Sequence, residues 1–134
     1  MARTETVKIA YQGRFVCEAG VARSFWSKTK GLMFRPSLGK GKGLLMEFEN
    51  EGKPGIWMLF MRFPIDIIFL DRAFRVVGIR ENVPPVGWRP SSWKVYYPDR
   101  PARYVLEVRA GTAGRIGAGL GSSLAVNFDA SEGN

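Results

Sequence analysis

The chain has 134 residues, enough for one domain, expected over 1–134, whose single core needs no disulfide or metal to hold it. It carries 20 Lys and Arg against 12 Asp and Glu, a formal charge of +8, with one cysteine and no histidine. Without an imidazole, Ser-His-Asp and Cys-His catalysis lose their base, and His/Cys transition-metal sites lose their ligands. One cysteine also excludes an internal disulfide. The excess of positive charge favours an anionic ligand or a nucleic acid as partner, with solubility alone as the alternative. Residues 1–12 place charged and polar side chains where an export signal needs an apolar core, which reads as cytoplasmic. One Gln and four Asn, beside heavy use of Arg, lean towards a thermophilic source.

Thr6 to Tyr11 alternates apolar and polar residues, Gln12-Gly13 supplies a turn, and Arg14 to Glu18 resumes the alternation, which predicts a hairpin. From Ala22 to Phe34 the period changes. Ala22, Phe25 or Trp26, Thr29, and Leu32 or Met33 recur at helical spacing, so one short helix is expected over about residues 22–34, ended by Gly31 and Pro36. Lys28, Lys30 and Arg35 suit the negative end of its dipole. Leu38 to Lys42 reads as a Gly/Lys loop, Gly43 to Glu49 as a strand, and Asn50 to Gly55 as a turn. Pro64 cannot donate to a sheet ladder, so the run from Trp57 to Asp71 divides into a strand before it and another from Ile65 to Leu70. Arg75 to Arg80 returns as a strand. Residues 82–101 carry five prolines and are expected to form a long loop with a short strand at Lys94 to Tyr97. Tyr104 to Arg109 and Leu124 to Phe128 close the sheet across the Gly-rich stretch 111–121, and residues 131–134 are expected to fray. The fold class is mainly β, a single-domain small barrel or sandwich with one short helix.

Two carboxylates stand out because each interrupts an apolar strand. Asp66 lies inside Ile65 to Leu70 and Glu107 inside Tyr104 to Arg109. A buried carboxylate is costly unless it is paired, so Asp66 is read first as a structural anchor of the bend after Pro64, bonded to backbone amides or to a cation such as Arg62. The functional alternative pairs Asp66 with Glu107 as catalytic carboxylates on a carbohydrate or phosphorylated substrate, which requires both to face one cleft. Cys17, in a strand pattern, reads as a buried inert thiol. A hard cation would need Asp66, Asp71 and Glu107 to converge, and their spacing is not that of a calcium loop, so no metal and no cofactor is expected. The glycine stretches GKGKG at 39–43 and GAGLG at 117–121 lack the spacing and strand order of phosphate-binding loops and read as turns. The region from Trp88 to Tyr104 interleaves rings with cations. Trp88, Arg89, Trp93, Tyr97 and Arg103 could stack on bases or sugars while neutralising phosphate, or simply stiffen a loop.

Three stretches resemble the DUF192 family of small bacterial and archaeal proteins. They are Lys30 to Leu38, Trp57 to Asp71 with its W-M and P-x-D-x-x-F-x-D elements, and Ala102 to Gly111. Where many members read Trp-Met-Lys-Asn-Thr, this chain has Trp57, Met58, Leu59, Phe60 and Met61. The resemblance implies a mainly β single domain with one helix and implies no reaction. Taken together, these readings point to a non-catalytic binding or structural domain. Its groove would be bordered by residues 57–71 and 88–104, with Trp57, Arg62, Asp66, Trp88, Arg89, Trp93, Tyr97 and Arg103 as binding candidates. No membrane-spanning segment is expected, since the apolar run is broken and too short.

Overall fold

A tight hairpin starts the chain in the computed structural model, which describes residues 5–128. The first four residues and the segment 131–134 expected to fray lie outside the described residues, as do the side chains of Phe25, Trp26 and Thr29. Strands β1 (Thr6–Tyr11) and β2 (Arg14–Ala22) pair antiparallel around Gln12 and Gly13, whose φ of 53° and 78° belong to the turn that matches strand twist. Beyond Cys17, β2 pairs in parallel with β3 (Lys42–Gly52), from Glu18 opposite Lys42 to Ala22 opposite Met46. Parallel neighbours need a crossover connection, and this one carries α1 (Phe25–Lys30), capped by Ser24 Oγ accepting from the Ser27 amide at 3.0 Å.

The helix expected over 22–34 is therefore shorter at both ends. Ala22 belongs to the sheet, and Gly31 leaves the helix at φ 48°, ψ −125°, a conformation open essentially to glycine. The apolar run also divides unequally. Ahead of Pro64 only β4 (Ile56–Trp57) forms, whereas β5 (Ile65–Leu70) is buried at every position. The remaining elements are β6 (Val76–Val83), a 3-10 turn at Pro90–Ser92, β7 (Val95–Tyr96), β8 (Ala102–Arg109), α2 (Thr112–Ile116) and β9 (Ala125–Phe128). The helical turn α2 lies within the Gly-rich stretch read as a plain connection. Gly content hid it, because intrinsic propensity is poor there and tertiary hydrogen bonds supply the difference.

The principal sheet has the order β6-β5-β8-β3-β2-β1-β9, and β4 pairs with β7 in a separate ribbon. Its two ends approach each other. Arg75 bridges Ser123, the Val76 amide donates to Ser122 O at 2.8 Å, and the Leu124 amide donates to Phe74 O at 3.0 Å. The sheet thus curls on itself without completing a barrel ladder. One core cluster fills the curl, with Val7, Ile9, Cys17, Leu45, Ile68, Leu70, Leu106 and Val108. A second, including Leu44, Met46, Ile56, Met58, Ile65, Ile67, Phe69 and Val105, covers the outer face. Side chains alternate along each strand, so β5 and β8, both buried between neighbours, contribute to both clusters. The cover of the outer face is made by the α1 crossover and the β4–β7 ribbon, and the gap between these covers is what positions the site.

Candidate functional site

The outer faces of β3 and β8 present Met46, Phe48 and Glu107 as the floor of a groove of about 500 Å³. One wall is the end of α1 and its exit, Lys28 to Met33; the other is Gly55 to Met58 with Met61. Gly31 is required in the first wall by close approach as well as by its backbone angles, since a Cβ there would lie 3.3 Å from Met46 Cε. At one end the walls are tied together by the Phe34 amide donating to Phe60 O at 2.9 Å, with the two rings stacked at 4.9 Å. Phe34 and Phe60 are both exposed and both hold φ near 65°. For a bulky residue that conformation costs of order 1 kcal/mol and persists only where surroundings enforce it.

All four methionines after Met1 line this groove: Met33, Met46, Met58 and Met61. Unbranched thioether side chains adapt their shape to what they contact. Within this largely apolar surface Glu107 is 4% exposed; no hydrogen bond or ion pair to its carboxyl occurs among the described residues, and since no fully buried side-chain oxygen there lacks a partner, the carboxyl opens into the groove. Burial pushes its pKa up to about 7. Lys28 is nearby but engaged: its Nζ donates to Glu47 O at 3.0 Å and rests 4.4 Å from the Phe48 ring centroid.

Asp66 has a different environment. It is fully buried, and its carboxylate accepts three backbone N–H bonds, from Asn82 at 2.8 Å, Gly111 at 3.1 Å and Ala113 at 2.9 Å. Those amides belong to the irregular end of β6, where Asn82 has φ 50°, and to the first turn of α2. The expected cation is not its partner, for Arg62 is exposed. Register separates the two carboxylates. Asp66 stands opposite Val108 and Ile67 opposite Glu107, so Asp66 points with the cluster inside the curl and Glu107 with the outer face. The structure does not bring this pair to one cleft. Asp71, the third carboxylate weighed as a cation ligand, closes its own turn by accepting from the Ala73 and Arg75 amides.

The other binding candidates scatter. Trp57 borders the groove and is half exposed, while the groove's second side is residues 28–33 and not the segment 88–104 expected from the sequence. That segment acts at one remove, through β7 holding β4 in place. Trp88 is fully exposed beside exposed Arg89; Trp93 Nε1 donates to Gly87 O at 2.9 Å; Tyr97 is exposed and offers its carbonyl to Arg80. Arg103 spans β8 and β3, donating to Phe48 O and pairing with Glu47. Lys28, Gly31, Met33 and Met46 were missed as site residues; the signals for two of them were the glycine that interrupts a helical period and the place of Gly31 and Met33 within the family-like stretch Lys30 to Leu38. Elsewhere, Cys17 is buried, and burial pushes its thiol up to about 12, as suits an inert core cysteine. A depression of about 600 Å³ near Arg23 and Lys42 has those cations already paired, with Glu5 and Glu47 for Arg23 and with Glu18 at 2.8 Å for Lys42. No helix among the described residues is long and apolar enough to cross a membrane.

Comparisons with known proteins follow the same architecture. A UPF0127 protein of Thermococcus sibiricus is 28% identical over 104 residues, 78% of this chain and 62% of its own length. This chain thus spans about three fifths of that relative. A UPF0127 protein of Pyrococcus horikoshii is 31% identical over 103 residues, 77% of this chain and 78% of its own. Among solved structures, a candidate transcription regulator of Sinorhizobium meliloti 1021 superposes with a TM-score of 0.77 at 26% identity, covering 92% of this chain and 94% of its own. A protein of unknown function from Novosphingobium aromaticivorans gives 0.75 at 27% identity, covering 91% and 84%. The family model described as "Uncharacterized ACR, COG1430" matches residues 7–126, almost the whole of the fold built above, and the chain belongs to this family, DUF192.

Proposed function

We propose that the chain is a ligand-binding domain without a catalytic centre of its own, and that its site is the groove over Met46, Phe48 and Glu107. The observation that carries this reading is the carboxyl of Glu107, a residue 4% exposed, which has no partner among the described residues and sits in the floor of a mostly apolar groove. Pockets of this size, apolar with one or two convergent polar groups, are the usual form of small-molecule sites, and a titratable group displaced by its surroundings marks such sites more often than chance. The carboxylate-pair enzyme has no such support, because its two members lie on opposite faces of the sheet.

Methionine methyl groups report directly on the groove. Titration of the full chain with 1-octanol should shift the ¹H–¹³C signals of Met33, Met46, Met58 and Met61 together. Met33→Trp, which places an indole from the wall into the groove, should weaken that binding at least about tenfold while leaving thermal stability within about 1 kcal/mol, as expected for a partly exposed wall residue. Shifts spread evenly over the surface, or unchanged affinity in Met33→Trp, would reject the groove as the site.

A second reading rests on a separate observation. The segment between β6 and β8 exposes the rings of Trp88 and Trp93 beside exposed Arg89, Lys94 and Arg100, the combination that holds single-stranded nucleic acid by stacking and charge neutralisation. Binding of a single-stranded oligonucleotide should weaken steeply with added salt, and Trp88→Ala should cost about 1–3 kcal/mol of affinity with no change in fold. Binding that is insensitive to both salt and Trp88→Ala rules this surface out.

A further inference from the structure

The chemistry of the groove specifies its occupant more narrowly than size and apolarity do. Glu107 lies opposite Leu44 on β3 and Ile67 on β5, and its carboxyl meets no donor from either neighbour. An ionised carboxylate so placed is an uncompensated charge, and the group that relieves it best is a cation bringing its own hydrogen-bond donors. The same groove already seats such a cation on its aromatic surface, for the Lys28 ammonium rests on the Phe48 ring. The half-exposed ring of Trp57 offers a second face of that kind.

We propose that the groove selects a ligand with an apolar body and an ammonium head, the head lying against the Glu107 carboxylate and the body among the methionine side chains. This rests on the groove being the binding site and deepens that reading by naming the class of molecule. The charged side chains that line the groove with Glu107 are Lys28 and Lys30, both from α1. Lys28 is committed to Glu47 O and Phe48, and Lys30 is exposed at the rim. Together they would draw an anionic head to the mouth, but such a ligand would leave its apolar tail against Glu107 and the carboxyl still without a partner. An ammonium ligand satisfies the floor, which is the more buried and the more costly of the two. Because the carboxyl must be ionised to receive the head, and burial holds it protonated to about pH 7, uptake should release a proton near neutrality.

Three probes with one apolar body separate the cases: octylammonium, 1-octanol and octanoate, titrated into the full chain by calorimetry and followed at the methionine methyls. Octylammonium should bind at least about tenfold more tightly than 1-octanol at about pH 8, and Glu107→Gln should erase that advantage, bringing the two affinities together. Octylammonium affinity should rise about tenfold between about pH 6 and about pH 8, where the amine itself stays protonated, whereas 1-octanol should show no such rise. The pH series uses the unmodified chain and so stands whatever the variant does. Equal binding of octylammonium and 1-octanol would overturn the ammonium assignment and leave the groove as a site. Tightest binding of octanoate would overturn it in favour of the lysine rim. No binding of any probe at the methionines would remove the groove reading and this inference with it.

Discussion

Asp66→Asn should unfold with about 3 kcal/mol less stability than the parent chain, a fall in melting temperature of about 10 °C, with an unchanged denaturant slope. The carboxylate accepts from three backbone amides on two separate elements, the Asn82 end of β6 and the Gly111–Ala113 start of α2. An asparagine side chain has one acceptor oxygen in place of two. Whichever way it is turned, its NH₂ faces at least one backbone N–H, leaving a buried donor opposed by a donor. Each orphaned buried group costs about 1–3 kcal/mol, and bonds to a charged acceptor stand at the upper end of that range. Because Asp66 points into the curl and the groove lies on the outer face, binding of 1-octanol at the methionines should be preserved below the melting transition. Equal stability of Asp66→Asn and parent in urea titration would show that the three bonds do not hold the β6 end and α2 together.

Glu107→Gln should behave in the opposite sense and depend on pH. The carboxyl has its ordinary value of 4.5 when unfolded and about 7 when buried by folding. Below about pH 4 both states carry the proton and the group contributes no pH dependence. As pH rises, the unfolded chain releases its proton first, so the unfolded state binds fewer protons than the native state and stability falls across this interval. Above about pH 7 the loss is complete and amounts to roughly 3 kcal/mol, one pKa unit corresponding to about 1.4 kcal/mol. Glutamine keeps the shape and carries no charge. Parent and variant should therefore be closest in stability near about pH 4, and the variant should become the more stable of the two by a margin that grows to about pH 7 and then stays constant. Melting curves in a pH series measure this directly. A margin that does not change with pH would mean that the Glu107 carboxyl has a partner in solution, with Lys28 the nearest candidate. The same linkage explains why a cationic ligand suits this position, since it would remove the penalty that folding leaves in place.

Both effects trace to residues that were conspicuous in the sequence as carboxylates inside apolar strands, yet their environments differ for reasons no local pattern carries. Asp66 was legible as an anchor because a bend follows Pro64 and a lone buried acid needs donors. That the donors would be amides of residues 82, 111 and 113 depended on which strands become neighbours. Glu107 was legible as an anomaly and as a possible catalytic partner of Asp66, but not as a groove residue. Its lack of a partner follows from pairing with Leu44 and Ile67, two aliphatic neighbours brought there by the strand order β5-β8-β3. The pairing of Asp66 with Glu107 as a catalytic couple failed on register. The two stand at neighbouring positions across an antiparallel pair, and a displacement of one residue reverses the face a side chain occupies.

The groove makes the same point about distance along the chain. Met33, Met46, Met58 and Met61 are separated by 12 or 13 residues where an intervening strand or turn lies between them, and by three in the last case. Their convergence is produced by the parallel crossover that lays the α1 exit over β3, and by the ribbon that brings β4 beside it. The sequence by itself determined that the chain is mainly β, that imidazole chemistry and an internal disulfide are excluded, and that Ile65 to Leu70 is a buried strand, because alternation, turn residues and missing side chains are local properties. Tertiary structure alone decided which strands neighbour which, the face each carboxylate occupies, and the presence of an apolar groove with an unpaired acid in its floor. Those depend on long-range register and on which part of the outer face the crossover and the ribbon leave uncovered.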